Sequence, residues 1–142
     1  MKQKDKELLL KDHCARLPYG AKFEYNKNVY IVKGLDLIVT NEGDWEYAVT
    51  AKGFTPIEID FIKPYLFHLS SMTEEQKEEY GKCYDIDLAN SAKNLYDRLD
   101  GKDTINGYPM YNHIDWCNKN HFDYRGLIPM GLAIDCTNLN IY

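Results

Sequence analysis

Between Ala21 and Phe67 the chain strings together FEY, NVYIV, LDLIV, WEYAV and IEIDFI, five short runs rich in β-branched and aromatic residues. Turn-forming residues separate them at Asn26-Lys27-Asn28, Asn41-Glu42-Gly43 and Lys52-Gly53. The segment reads as an antiparallel meander of four or five short strands. A small curled sheet or SH3-like barrel over about residues 21–67 is the expected closure. Ile57, Ile59 and Phe61 alternate with Glu58 and Asp60, which predicts a strand with one buried and one wet face.

Both flanks carry helical spacing instead. Leu10, Cys14 and Leu17 form the stripe of a short N-terminal helix, ended by Pro18, Tyr19 and Gly20. Thr73 followed by Gln76 fits a capping box, with Glu74 and Glu75 in a first turn where the helix dipole favours negative charge. That helix is expected to run from Glu74 to Tyr80 and stop at Gly81. A further stripe joins Leu88, Ala92, Leu95 and Leu99, with Asp100-Gly101 as its stop. Pro109 then suits the first position of a last helix that carries Met110, Ile114 and Cys117 on one face and closes near Asn120. The order of helix, small sheet and helices is α+β, and 142 residues without repeats or a long linker suit a single domain over residues 1–142.

Composition narrows the functional classes. Hydrophobic residues make up 44% while mean hydropathy is −0.53, because 12 of them are tyrosines, so the core must use amphipathic rings. A net charge of −5 and a pI near 5.3 argue against nucleic acid as a partner. No apolar run approaches the ~20 residues that cross a bilayer, and the apolar stretch in MKQKDKELLLKDHC is too short for a secretory signal. The expected compartment is the cytoplasm. Cys14, Cys83, Cys117 and Cys136 form no C-x-x-C pair and read as reduced, mostly packed thiols.

Common catalytic and nucleotide-binding fingerprints are absent, and no cofactor is signalled. His113, Cys117 and His121 are spaced four apart and would share a face if the last helix ran through His121, with Asp123 as a fourth zinc donor. Cys117 also lies on the apolar stripe and His121 falls past the helix end, so packed side chains are the preferred reading. His13 adjoins Cys14, but neighbours on a helix point about 100° apart, which spoils proton transfer. A buried thiol beside a surface imidazole is expected there. The pairs Asp85 with Asp87 and Glu58 with Asp60 read as solvated charges, and DRLDGKD as a turn, because Leu99 replaces an oxygen ligand that calcium would need.

The run HFDYRGLIPMGLAI, residues 121–134, mixes turn residues with aliphatics and reads as a C-terminal closure over the core. Phe122, Leu127, Ile128 and Leu132 are its expected anchors, leaving Tyr124 and Arg125 to face outward. Nineteen of the 142 residues are Phe, Tyr or Trp, a share that serves either to cover a thin sheet or to form a protein interface. The candidate interface residues are Tyr124, Arg125, Tyr65, Tyr108 and Tyr111, with Tyr19 and Tyr47 also near turns or charge. Single-stranded nucleic acid would want a basic groove beside such rings, whereas the lysines are scattered or concentrated in the N-terminal tail.

The runs CARLPYG at 14–20, KPYLFHLSSMTEEQKEEY at 63–80 and NKNHFDYRGLIPMGLAID at 118–135 resemble a group of small uncharacterised proteins encoded by gut Bacteroidetes, their phages and their mobile elements. The similarity covers both flanks better than the middle, and residues 22–55 and 84–112 depart from it. That group carries no established activity, so the resemblance implies a soluble accessory protein of a bacterial or phage genome and transfers no catalytic residue. The expected function is binding to an unidentified protein partner. The alternatives are a small enzyme or ligand-binding protein with a pocket between the sheet and the last helix, and a single-stranded nucleic-acid binder.

Overall fold

The structure, a computed structural model, describes residues 1–82 and 111–142. The helix expected on Leu88, Ala92, Leu95 and Leu99, the residues Cys83, Asp85, Asp87, Tyr108, Pro109 and Met110, and the turn DRLDGKD lie outside the described residues. Helix α1 spans Gln3–Arg16 and is followed by a 3-10 turn at Leu17–Tyr19. Strands β1 (Lys22–Tyr25), β2 (Asn28–Ile31), β3 (Gly34–Val39), β4 (Trp45–Thr50), β5 (Ile57–Glu58) and β6 (Lys63–Leu66) come next. Helices α2 (Glu74–Lys82) and α3 (Tyr111–Lys119) and a short strand β7 (Ile134–Asp135) complete the described elements. The fold is α+β, as its order of elements implied.

The strands separate into two sheets rather than one meander, and they do not close into a barrel. One sheet has the order β2-β1-β6-β7 and the other β3-β4-β5. The corner lies at Val32 and Lys33: the Val32 N–H donates to Ala21 O, and the next N–H, of Lys33, donates to Thr50 O. One residue therefore carries the chain from the first sheet to the second, and the buried Val32 side chain pins the bend. Strand β6 returns to pair antiparallel with β1, and β7 adds in parallel beside β6, so the first sheet is mixed.

Local chemistry accounts for most of the turns. Asn26 and Lys27 both have positive φ, 50° and 63°, the mirror-image turn whose twist matches a two-residue hairpin between β1 and β2. At the β3–β4 tip, Thr40 N–H donates to Asp44 O and Gly43 N–H to Thr40 O, with Gly43 at φ 88°. A glycine meets that conformation without the steric penalty a Cβ would bring. The Ile57-to-Phe61 alternation ends early. After Glu58 the chain enters a 3-10 turn, which buries Ile59 but leaves Phe61 63% exposed.

Thr73 and Gln76 form the expected capping box, Thr73 N–H donating to Gln76 Oε1 at 2.9 Å and Gln76 N–H to Thr73 Oγ1 at 3.2 Å. Replacing Thr73 by Ala is expected to lower stability by about 1 kcal/mol, read from the urea midpoint. An unchanged midpoint would contradict the cap. Helix α2 passes through Gly81 to Lys82, so glycine alone does not stop it where the expectation placed its end.

Helix α1 buries a different face from the one its apolar residues suggested. Leu9, Asp12, His13 and Arg16 point inward, while Cys14 is exposed and Leu10 and Leu17 pack at the margin of the core. The expected buried thiol and surface imidazole are thus reversed. The N-terminal lysines also do more than solvate a tail: Lys6 Nζ bridges Glu46 at 2.8 Å and Asp60 at 3.1 Å, clamping α1 to β4 and to the turn after β5. These two acceptors raise the Lys6 pKa.

Candidate functional site

Helix α3 ends where His121 takes a left-handed φ of 59°, one residue later than the Asn120 position expected from sequence. His121 N–H donates to Asn118 O and Phe122 N–H to Cys117 O, the paired bonds that close a helix around a left-handed residue. The chain then docks beside β6, with Phe67 N–H donating to His121 O and Asp123 N–H to Phe67 O. The buried Asp123 carboxylate accepts the backbone N–H groups of Leu127 and Ile128, each at 2.8 Å, which folds the closure back onto the core. Phe122, Leu127 and Leu132 are buried and Ile128 packs against the core edge.

Tyr124 and Arg125 are drawn into that closure. Arg16, fully buried, donates from Nε to both Asp12 oxygens, from one terminal nitrogen to Cys117 O at 3.2 Å and from the other to Phe122 O at 2.7 Å. Its charge sits at the C-terminal end of α3, where the helix dipole favours a cation and Cys117 O accepts a second bond besides that from Phe122 N–H. Arg125 Nε lies 3.4 Å from Asp12, and the Arg16 and Arg125 guanidinium carbons stand 5.5 and 4.6 Å from the Tyr124 ring centre. The aromatic–guanidinium pair read from sequence as an outward interface therefore belongs to a clamp joining α1, the end of α3 and the C-terminal closure.

Other sequence candidates disperse. Tyr65 is 5% exposed on β6, its hydroxyl donating to Glu24 at 3.3 Å, and burial followed by the neighbouring Glu24 raises its pKa. It is a core residue, not surface for a partner. Tyr108 and the side chain of Tyr111 lie outside the described residues. Tyr19 donates to Asp115 at 2.5 Å, tying the end of α1 to α3. His113 and Cys117 are buried on α3, whereas His121 stacks on the Tyr142 ring, centres 3.9 Å apart. Among the described residues no group of three or more His, Cys, Asp or Glu side chains is placed to hold a metal. No helix among them is long and apolar enough to cross a membrane.

The surface that stands out is on the β3–β4 hairpin. Register pairs Leu35 with Val49, Leu37 with Tyr47 and Val39 with Trp45. Residues two apart on a strand share a face with their cross-strand partners, so all six side chains lie on one side. At the base Val49 is buried and Leu35 packs on the core. Toward the tip the same face runs out into solvent, with Leu37 48%, Val39 54%, Trp45 67% and Tyr47 49% exposed. On the opposite face Glu46 is held by Lys6, so α1 braces the hairpin from behind.

The sequence marked LDLIV and WEYAV as strands by their β-branched and aromatic residues, and Tyr47 as an aromatic near turns or charge. It could not say that only the base of the face reaches the core. No family model, curated protein or solved structure matches the chain. The reading of function therefore rests on this geometry.

Proposed function

We propose that the protein acts by binding another protein, with the tip half of the β3–β4 face as its contact surface. The supporting observation is the four adjacent exposed apolar side chains, Leu37, Val39, Trp45 and Tyr47, held on a braced two-stranded platform. Scattered exposed hydrophobics are ordinary, but a contiguous patch that includes a Trp and a Tyr has the composition of binding hot spots. Rigid strands also reduce the ordering cost that a flexible loop would meet on binding. An accessory role in a bacterial or phage genome, implied by the resemblance of the two flanks, belongs to the same proposal.

The test is quantitative affinity capture with the wild type and a Trp45→Thr, Tyr47→Thr double variant, threonine being chosen to keep strand propensity. Both side chains are largely exposed, so the variant is expected to unfold at nearly the wild-type midpoint and to lose the partner that the wild type retains. A folded variant that retains every partner would place the interface elsewhere.

A further inference from the structure

The charge around the apolar face narrows the occupant, on the premise that this face is the protein-binding surface proposed above. From Gly34 to Ala51 the chain has Asp36, Glu42, Asp44 and Glu46 but no lysine or arginine. Glu46 is neutralised by Lys6. Asp36, Glu42 and Asp44 are exposed and have no ion-pair partner among the described residues. Glu42 and Asp44 belong to the tip turn that joins Val39 to Trp45, whereas Asp36, paired with Ala48 in the ladder, shares the opposite face with Glu46. The nearest basic residues in sequence, Lys33 and Lys52, stand at the opposite end of the hairpin, next to the Gly34–Thr50 pair.

The free edge of β3 is also accounted for. The Thr40–Asp44 bond sets the parity of the ladder, so the backbone groups of Leu35, Leu37 and Val39 point away from β4. The central one, Leu37 N–H, donates instead to Asp36 Oδ1 at 2.8 Å. A charged side chain folded over an edge N–H discourages addition of another strand. Docking is thereby directed to the face.

We infer that the β3–β4 face receives an amphipathic, basic protein segment: apolar side chains seated on Leu37, Val39, Trp45 and Tyr47, with Lys or Arg beside Glu42 and Asp44. A second copy of the chain is disfavoured, because it would set the acidic tips of two molecules with a net charge of −5 against one surface. An anionic membrane or a nucleic-acid strand stacking on Trp45 meets the same repulsion.

Panning a random peptide display library on three proteins tests this: wild type, Trp45→Thr with Tyr47→Thr, and Glu42→Lys with Asp44→Lys. Wild-type clones should combine apolar anchors with an excess of Lys and Arg, and should lose binding to the threonine variant. Against the charge-reversed variant the same peptides should weaken by about tenfold, the scale of two rim ion pairs, while acidic-flanked clones emerge. Clones that need Trp45 and Tyr47 but show no basic excess and bind the reversed variant equally would overturn the charge inference and leave protein binding intact. Peptides indifferent to both variants would overturn both. Concentration-dependent dimers, or binding of phosphatidylglycerol vesicles or oligothymidine, lost in the threonine variant would replace the basic segment with that occupant.

Discussion

Acidification is expected to unfold the protein near pH 5, well before an ordinary carboxylate-driven transition. His13, His113 and His121 are 0%, 1% and 7% exposed, and burial pushes each pKa down from 6.5 to about 4. Around His13 the neighbouring Asp12 opposes this shift and Arg16 reinforces it, with desolvation dominant. Above pH 6.5 these rings are neutral in both the folded and the unfolded chain, so they leave stability unaffected. As pH falls through 6.5 the unfolded chain takes up protons that the folded chain refuses, and the loss is complete only below about 4. Each ring contributes a penalty on the order of 3 kcal/mol across that window. Two or three together match the whole stability of a typical small domain. Urea titrations at pH 7.0, 6.0 and 5.3 should show a steep decline. A free energy constant to within about 1 kcal/mol over this range would rule out neutral buried histidines.

Asp12→Ala is expected to cost about 3 to 5 kcal/mol, because it strands Arg16 as a buried guanidinium without its counter-ion and removes the partner of Arg125. Arg16→Met removes the buried cation but also leaves Cys117 O and Phe122 O without their Arg16 donors, so it should be costly as well. Combining the two changes removes both charges at once, and the double variant should lose clearly less than the sum of the single losses. Denaturant unfolding of the three variants measures the coupling. Strict additivity, or a loss below about 1 kcal/mol for Asp12→Ala, would mean that the pair does not hold α1 to the closure.

Much of the local structure was written in short stretches. Thr73 and Gln76 specify a cap through contacts three residues apart, Asn26-Lys27 and Gly43 specify hairpin turns through backbone conformation, and β-branched runs specify strands through their own sterics. Such signals survive without knowledge of the rest of the chain, because every group involved is a near neighbour. The α+β order was legible in the succession of such runs, and the anchoring of Phe122, Leu127 and Leu132 in the cost of leaving large apolar side chains in water.

What the tertiary structure decided is which faces turn inward and where the surface keeps its apolar side chains. Residue type and spacing placed the buried stripe of α1 on Leu10, Cys14 and Leu17. The fold buries Leu9, Asp12, His13 and Arg16 instead, since Asp12 neutralises Arg16 and carbonyls more than 100 residues away in sequence accept its remaining bonds. Burying a charge depends on partners that no local window contains. The β3–β4 hairpin shows the converse: Leu35, Leu37 and Val39 recur at every second position on one face, yet the core covers only the base, because the chain turns a corner at Val32 and no described element lies over the tip. Alternation records that a strand has an apolar side, and only the packing of the other elements determines whether that side is core or contact surface.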